Sequence, residues 1–272
     1  MNDHSEEPSG ASRGTQTLMR GLDLVEALRD EPLRVAELAR VLGLSRTTTH
    51  RLAAALVERG YVAQADRGLL TLGPTLLQLG FTAHRRIDLV RVARARMEAL
   101  SADTGLCVFL GRRDGDHSLH LDRAAGRQRL EVSTRPGDRR PVAQTGLGKA
   151  LLFDERDDGL ARLYRATGAT DADAITHWAT DMRANIARGH VIHDSVGNDG
   201  IRSIAAPIRD VSDAIVAAIG IATAAQYLTP EKVATIGPQV AATARAISRD
   251  LGYADPDPSV PVAAFSLPPS LP

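Results

Sequence analysis

Apolar residues recur with helical spacing along the first third of the chain. Between residues 15 and 29, Leu18, Leu22, Val25 and Leu28 fall four and three positions apart, which predicts a helix with one apolar stripe. Pro32 in "DEPL" ends it, because proline lacks the N–H that the next turn needs. Residues 35–42 place Leu38, Ala39 and Leu42 on one face of a second, short helix. Gly43 supplies a turn. Ser45 is placed to cap a third helix that runs to "ERG", with Gly60 just past its end. The segment "YVAQADRGLLTLG" shows two short β-like runs around "ADRG", a hairpin signal. Pro74 opens a helix, "PTLLQLGFTAH", and an amphipathic helix follows over residues 88–103.

Beyond Thr104 the pattern changes to short strands. "CVFLGRRDGDHSLHLDRAA" reads as a hairpin and "RLEVSTRPG" as a strand and turn, while "TGLGKALL" begins a helix. A helical stretch over residues 179–188 leads to "GHVIHD", then to "IRSIAAPIRD" and "AIVAAIGIATAA", which have the composition of buried strands. The last helix is "TPEKVATIGPQVAATARAISRDLG", capped by Thr229 with Pro230 at its first position. The polar first 12 residues and the Pro-rich tail are expected to be disordered.

Charge refines this picture by its distribution. The chain carries 33 basic and 33 acidic residues. Between Ser45 and Arg96, however, nine arginines face only Glu58, Asp66 and Asp88. A local basic segment in a neutral protein is an electrostatic footprint for polyanions. The single cysteine, Cys107, excludes an internal disulfide and a cysteine-based zinc cluster. No apolar run approaches the ~20 residues that span a bilayer, and the polar start lacks the regions of a signal peptide. A cytoplasmic protein with no membrane partner is expected.

Three helices followed by a hairpin make a winged helix-turn-helix. The third helix then enters the major groove of double-stranded DNA, and the hairpin tip approaches the backbone nearby. At ~100° per residue, Thr49, Leu52, Ala53 and Leu56 share the inward face. Thr47, Arg51 and Ala54 point outward, with Thr48 at the edge. The three threonines of "SRTTTHR" therefore divide between core and DNA. Candidate contacts are Ser45, Arg46, Thr47, Thr48 and Arg51, with Arg67 at the hairpin tip and Arg20 on the first helix. Arginines neutralise phosphates, and threonines can meet phosphates or base edges.

The ordered set "RGLDLVEALRD", "VAELARVLGLSRTTTHRLAAALVERGYV", "LLTLGPTLLQLG", "LEVSTRPGDRRPVAQTGLGKALL" and "GHVIHDSVGNDGIRSIAAPIRD" resembles the IclR family of bacterial transcriptional regulators. The resemblance implies an α+β chain: a winged helix-turn-helix over residues 13–73 and a linker helix over 74–87. A GAF-like α/β effector-binding domain over 88–253 would follow. It also implies a homodimer or homotetramer, more a repressor than an activator, acting on a palindromic operator and answering to a small-molecule effector, with no cofactor. Carried onto this chain, the family's pocket falls at Gly146, Leu147, His193, Ser203, Gly220 and Ala222. Family members commonly have Glu where Val196 stands, an acidic residue near His193, and small polar residues at Gly220 and Ala222. These departures imply a roomier pocket with fewer hydroxyls, suited to a bulkier or more apolar ligand that is anionic.

Other chemistry can be placed on the same segments. A glycine turn such as "TGLGK" can offer N–H groups to a carboxylate, or it can serve close helix packing. It lacks P-loop spacing. Three residues apart on a strand, His190 and His193 face opposite sides, the wrong geometry for a metal, and His117, His120 and Asp122 share that difficulty. Ser203, His193 and Asp194 could form a hydrolase triad, but no G-x-S-x-G elbow is present. The alternative function is a metabolite-processing enzyme that uses the winged helix only to dimerise. The regulator reading predicts no catalytic residue and no metal.

Overall fold

The computed structural model describes residues 13–86, 88–128, 132–195 and 200–254, and it divides into two compact units, Met1–Ile87 and Asp88–Pro272. The expected lead and tail lie outside the described residues, except Ala254. Val196 and the first three residues of "RLEVSTRPG" also lie outside them.

The first unit runs α1 (Arg13–Ala27), β1 (Leu33–Arg34), α2 (Val35–Val41), α3 (Arg46–Glu58), β2 (Val62–Gln64), β3 (Leu69–Leu72) and α4 (Pro74–Arg86). The strands form an antiparallel sheet in the order β1-β3-β2. A core of Leu24, Leu28, Leu38, Ala53, Val62 and Leu70 joins α1, α2, α3 and the hairpin. The apolar stripe of α1 is only half used. Leu24 and Leu28 are fully buried, whereas Leu18 and Leu22 are 62% and 49% exposed. The core meets the C-terminal half of the helix, so its first turns gain nothing from their leucines within this unit. The strand β1 was also not expected from "DEPL". It exists because Leu33 and Arg34 pair with Leu70 and Leu69.

The second unit runs α5 (Leu89–Thr104), β4 (Val108–Asp114), β5 (His117–Ala124), β6 (Arg139–Pro141) and α6 (Gly146–Ala150). It continues with α7 (Asp157–Arg165), α8 (Ala172–Arg188), β7 (Val191–Asp194), β8 (Ile201–Arg209), β9 (Ile215–Ala224) and α9 (Pro230–Asp250). Six strands make one antiparallel sheet in the order β6-β5-β4-β9-β8-β7. The last two strands of the chain thus lie in its middle. Helices α5 and α9 cover one face over a core that includes Met97, Val108, Leu110, Ile204, Ile219 and Ile247. Helices α6, α7 and α8 cover the other, with Phe109, Leu147, Leu152, Leu160, Trp178 and Met182. Caps set these helices: Asp88 accepts from Val90 and Arg91, Asp171 accepts from Asp173 and Ala174, and Gly105 and Gly189 end α5 and α8 at positive φ. The described part of "RLEVSTRPG" holds a turn at Pro136–Gly137 and no strand.

Candidate nucleic-acid interface and ligand cavity

Ser45 caps α3 by accepting the Thr48 N–H at 3.2 Å, and its hydroxyl also meets the Thr48 hydroxyl at 2.9 Å. Thr48 is therefore half-buried in the cap, with its hydroxyl partly used. Thr49 is fully buried, and its Oγ1 donates to the Ser45 carbonyl at 3.0 Å. Arg46, Thr47, His50 and Arg51 are exposed along the outward side of the helix. His50 escaped the sequence reading, although its position lies nearer to Thr47 around the helix than that of Thr48 does. The hairpin turns through Asp66–Gly68, where Arg67 takes φ 59° and stands exposed at the tip. Arg20 is half-buried on α1, apart from the α3 face.

In the second unit a cavity of about 480 Å³ opens between the sheet and α6. Gly146, Leu147, His193, Ser203, Gly220 and Ala222, the six expected residues, all line it. So do Gln144, Thr145 and Ser195, which sit in the same segments as the expected residues, and Phe109, His120 and Arg140, which come from strands that the sequence reading did not join to them. Thr145 caps α6 by accepting the Gly148 N–H at 2.9 Å. Gly146 and Gly148 serve close packing: a Cβ on the first would run into Ser203 Oγ, and on the second into the Val142 carbonyl. Gly220 is likewise fixed by the sheet, since a Cβ there would stand 2.7 Å from the Ile204 carbonyl.

The histidines of the cavity are neutral near pH 7. Burial, helped by the charge of Lys149, pushes His193 down to about 4, and its Nε2–H donates to the Gln144 carbonyl at 3.0 Å. His120 is lowered chiefly by burial and packs edge-on against Phe109 at 5.8 Å. Lys149 does not reach the cavity lining. It is buried on α6, pairs with Asp181 at 2.8 Å, and lies 5.7 Å over the ring of Trp178. Trp178 stacks on Tyr164 at 4.9 Å.

This geometry is poor for a hydrolase. Ser203 Oγ faces the His193 carbonyl at 3.5 Å rather than its ring, and Asp194 is held by Arg202. The nucleophile–base and base–acid bonds of a triad are therefore absent among these three residues. His190 points to α9, where a Cβ on Gly237 would meet its ring, and His193 to the cavity. Among the described residues no group of three His, Cys, Asp or Glu side chains could hold a metal ion, and no helix is long and apolar enough to cross a membrane.

The same two units appear in known proteins. The IclR helix-turn-helix domain matches residues 17–66, and the C-terminal domain of bacterial transcriptional regulator IclR matches residues 81–249. The HTH-type transcriptional regulator BhcR of Paracoccus denitrificans is 29% identical over 87% of this chain and 88% of its own. XynR of Escherichia coli, also an HTH-type transcriptional regulator, is 26% identical over 88% of this chain and 98% of its own. The crystal structure of the Agobacterium tumefaciens repressor BlcR, 27% identical, covers 90% of this chain and 100% of its own with a TM-score of 0.75. A winged helix with an arginine-bearing outward face, a separate α/β unit around a cavity, and both family domains in order lead to one conclusion: the chain belongs to the IclR family of DNA-binding transcriptional regulators.

Proposed function

We propose that this regulator is a cytoplasmic repressor that binds a palindromic operator as a homodimer or homotetramer and answers to a small anionic metabolite held in the cavity of the second unit. The cavity carries this reading. It is of ligand size, and its wall mixes apolar side chains such as Phe109, Leu147 and Val132 with hydroxyls, imidazoles and Arg140. On the DNA side, Arg46, Thr47 and Arg51 contact the major groove, Ser45 and Thr48 shape the start of the helix, and Arg67 reaches the backbone from the hairpin tip. The half-buried Arg20 contributes at most a phosphate contact. Exposed apolar residues support self-association: Leu18, Met19 and Leu22 on α1, and Leu77, Leu79 and Phe81 on α4, are 49–63% exposed. Residues 13–73, 74–87 and 88–253 then serve as DNA-binding, linking and effector-binding segments.

Selection of genomic fragments by the purified protein tests the reading. Enrichment of a palindrome is expected, with affinity falling steeply as salt rises. Arg51→Ala should weaken binding to all sequences and flatten the salt slope, whereas Thr47→Ala should relax preference at one base step. Enrichment of no sequence, with and without candidate metabolites, would remove the operator-binding role.

A further inference from the structure

Among the described residues that line the cavity, the charged side chains have one sign, although Asp138 acts on His120 and Asp181 and Asp194 act on His193 from outside the lining. The described lining residues include no aspartate or glutamate, and their one cation is Arg140 on β6. Its exposed guanidinium has no ion-pair or hydrogen-bond partner among the described residues. Other arginines of this unit differ. Arg139 pairs with Asp114 at 2.9 Å, Arg113 with Glu155 at 2.8 Å, and Arg209 with Asp154 at 2.6 Å. An arginine with no partner among the described residues, beside a cavity whose described lining has no carboxylate, is a ready counter-ion for a ligand, and its planar fork fits a carboxylate.

The histidines supply hydrogen bonds rather than charge. The ring of His193 already donates to Gln144. His120 lines the cavity and its Nδ1 is buried with no partner among the described residues, so Nε2 is the ring nitrogen left to meet a ligand. Size narrows the ligand further. A volume near 480 Å³ would hold about 16 waters at a liquid share of ~30 Å³ each. A two- or three-carbon acid would leave most of it filled with water, beside the apolar Phe109, Leu147 and Val132.

We propose that the cavity takes a monoanionic carboxylate with an uncharged, partly apolar body of roughly ten or more non-hydrogen atoms, its carboxylate held by Arg140 and one uncharged polar group meeting His120 Nε2. This rests on the reading of the cavity as the effector site. A second charge on the ligand would face neutral imidazoles, hydroxyls and apolar side chains with no second cation among the described lining residues, where an unpaired ion is disfavoured.

The test is calorimetric titration of the full-length protein with octanoate, 3-phenylpropanoate and indole-3-acetate, each beside its primary amide. Pyruvate serves as a small comparator and phthalate as a dianionic one. At least one of the three acids should bind, tenfold or more tighter than its amide and than pyruvate or phthalate. Arg140→Gln should weaken that acid by about ten- to a hundredfold while leaving its amide unchanged, and Arg140→Lys should recover part of the loss. Ala222→Trp, or Ala222→Leu if the larger side chain prevents folding, should fill the cavity and remove acid and amide alike. Acid binding that is lost in the Ala222 variant but kept in Arg140→Gln overturns the proposal and leaves the effector site in place. Binding that survives at Ala222 overturns the cavity reading itself. Preference for pyruvate or phthalate, or no binding of any of the three acids at millimolar concentration, overturns the ligand class.

Discussion

On the face of the six-stranded sheet turned to α5 and α9, β8 and β9 present Ile204, Ala206, Ile208, Ala217, Ile219 and Ile221, none more than 1% exposed. On the opposite face the alternate positions of the same strands are Ser203, Ala205, Ala218, Gly220 and Ala222. The backbone ladder is common to both. The branched aliphatic face closes against its two helices, with Ile221 alone of that row also bordering the cavity. The small and polar face cannot fill the space beneath α6, and the cavity is what remains. Ligand-sized room in this fold is therefore made by omitting side-chain volume on one side of two strands while keeping it on the other.

The largest expected effect lies on the closed face. Ile219→Ala should cost about 2–5 kcal/mol in chemical denaturation, as buried aliphatic truncations do. A cost below ~1 kcal/mol would mean that this face is not closed, and the contrast would fail. Next comes acid. An unfolded histidine titrates near 6.5, whereas His193 titrates at about 4 in the fold. Between those values the unfolded chain holds a proton that the folded one refuses. Stability from this residue is thus full above about pH 6.5 and is lost as pH falls toward 4, by at most about 3 kcal/mol. His120 and His190, both lowered by burial, push the same way. The denaturation midpoint measured from pH 7.5 to 5 should fall less in His193→Gln than in the parent. Parallel curves would show that the cavity does not hold this imidazole neutral.

Smaller effects separate inward from outward positions on α3. Thr49→Ala should cost about 1–2 kcal/mol through the lost methyl contact and the loss of one of the two hydrogen bonds that Thr49 gives the Ser45 carbonyl. Thr47→Ala should stay within ~0.5 kcal/mol and alter only sequence preference in a DNA-binding assay. Equal stability losses at the two positions would undo the division of the threonines. Ala222→Leu should likewise have a small effect, under about 1 kcal/mol by the same denaturation, because its added methylenes enter empty space. Gly220 offers no such test, since any Cβ there meets backbone.

What the sequence could tell differed between the units. In the first, periodicity and capping were enough. Ser45, the inward Thr49 and the hairpin around "ADRG" depend on neighbours within a few residues, so local pattern contained them. Helix α7 was missed because Leu160 and Leu163 are a thin apolar signal in a charged segment. Its better mark was Asp157 and Asp158 in the first turn with Arg162 and Arg165 in the last, which complements the helix dipole. The cavity was legible only where the family resemblance pointed. Phe109, His120 and Arg140 join His193 and Gly220 through a strand order in which β9 lies beside β4, and no local pattern encodes that pairing. Even so, His120 carried a hint: on β5 it alternates with Leu119 and Leu121, so it shares a face with Ser118 rather than with the leucines.

Lys149 belongs to α6, the helix whose first residues wall the cavity, and its ammonium lies over Trp178. The chain contains one tryptophan. Its indole is buried against Tyr164, and its Nε1–H has no partner among the described residues. Light emitted by tryptophan in this protein thus comes from a single ring whose neighbouring positive charge sits on the helix that walls the cavity. If the cavity is the effector site as proposed, a ligand that moves α6 would change the field at that ring, and the expected readout is a change in the protein's own fluorescence, without a label and without DNA in the cuvette.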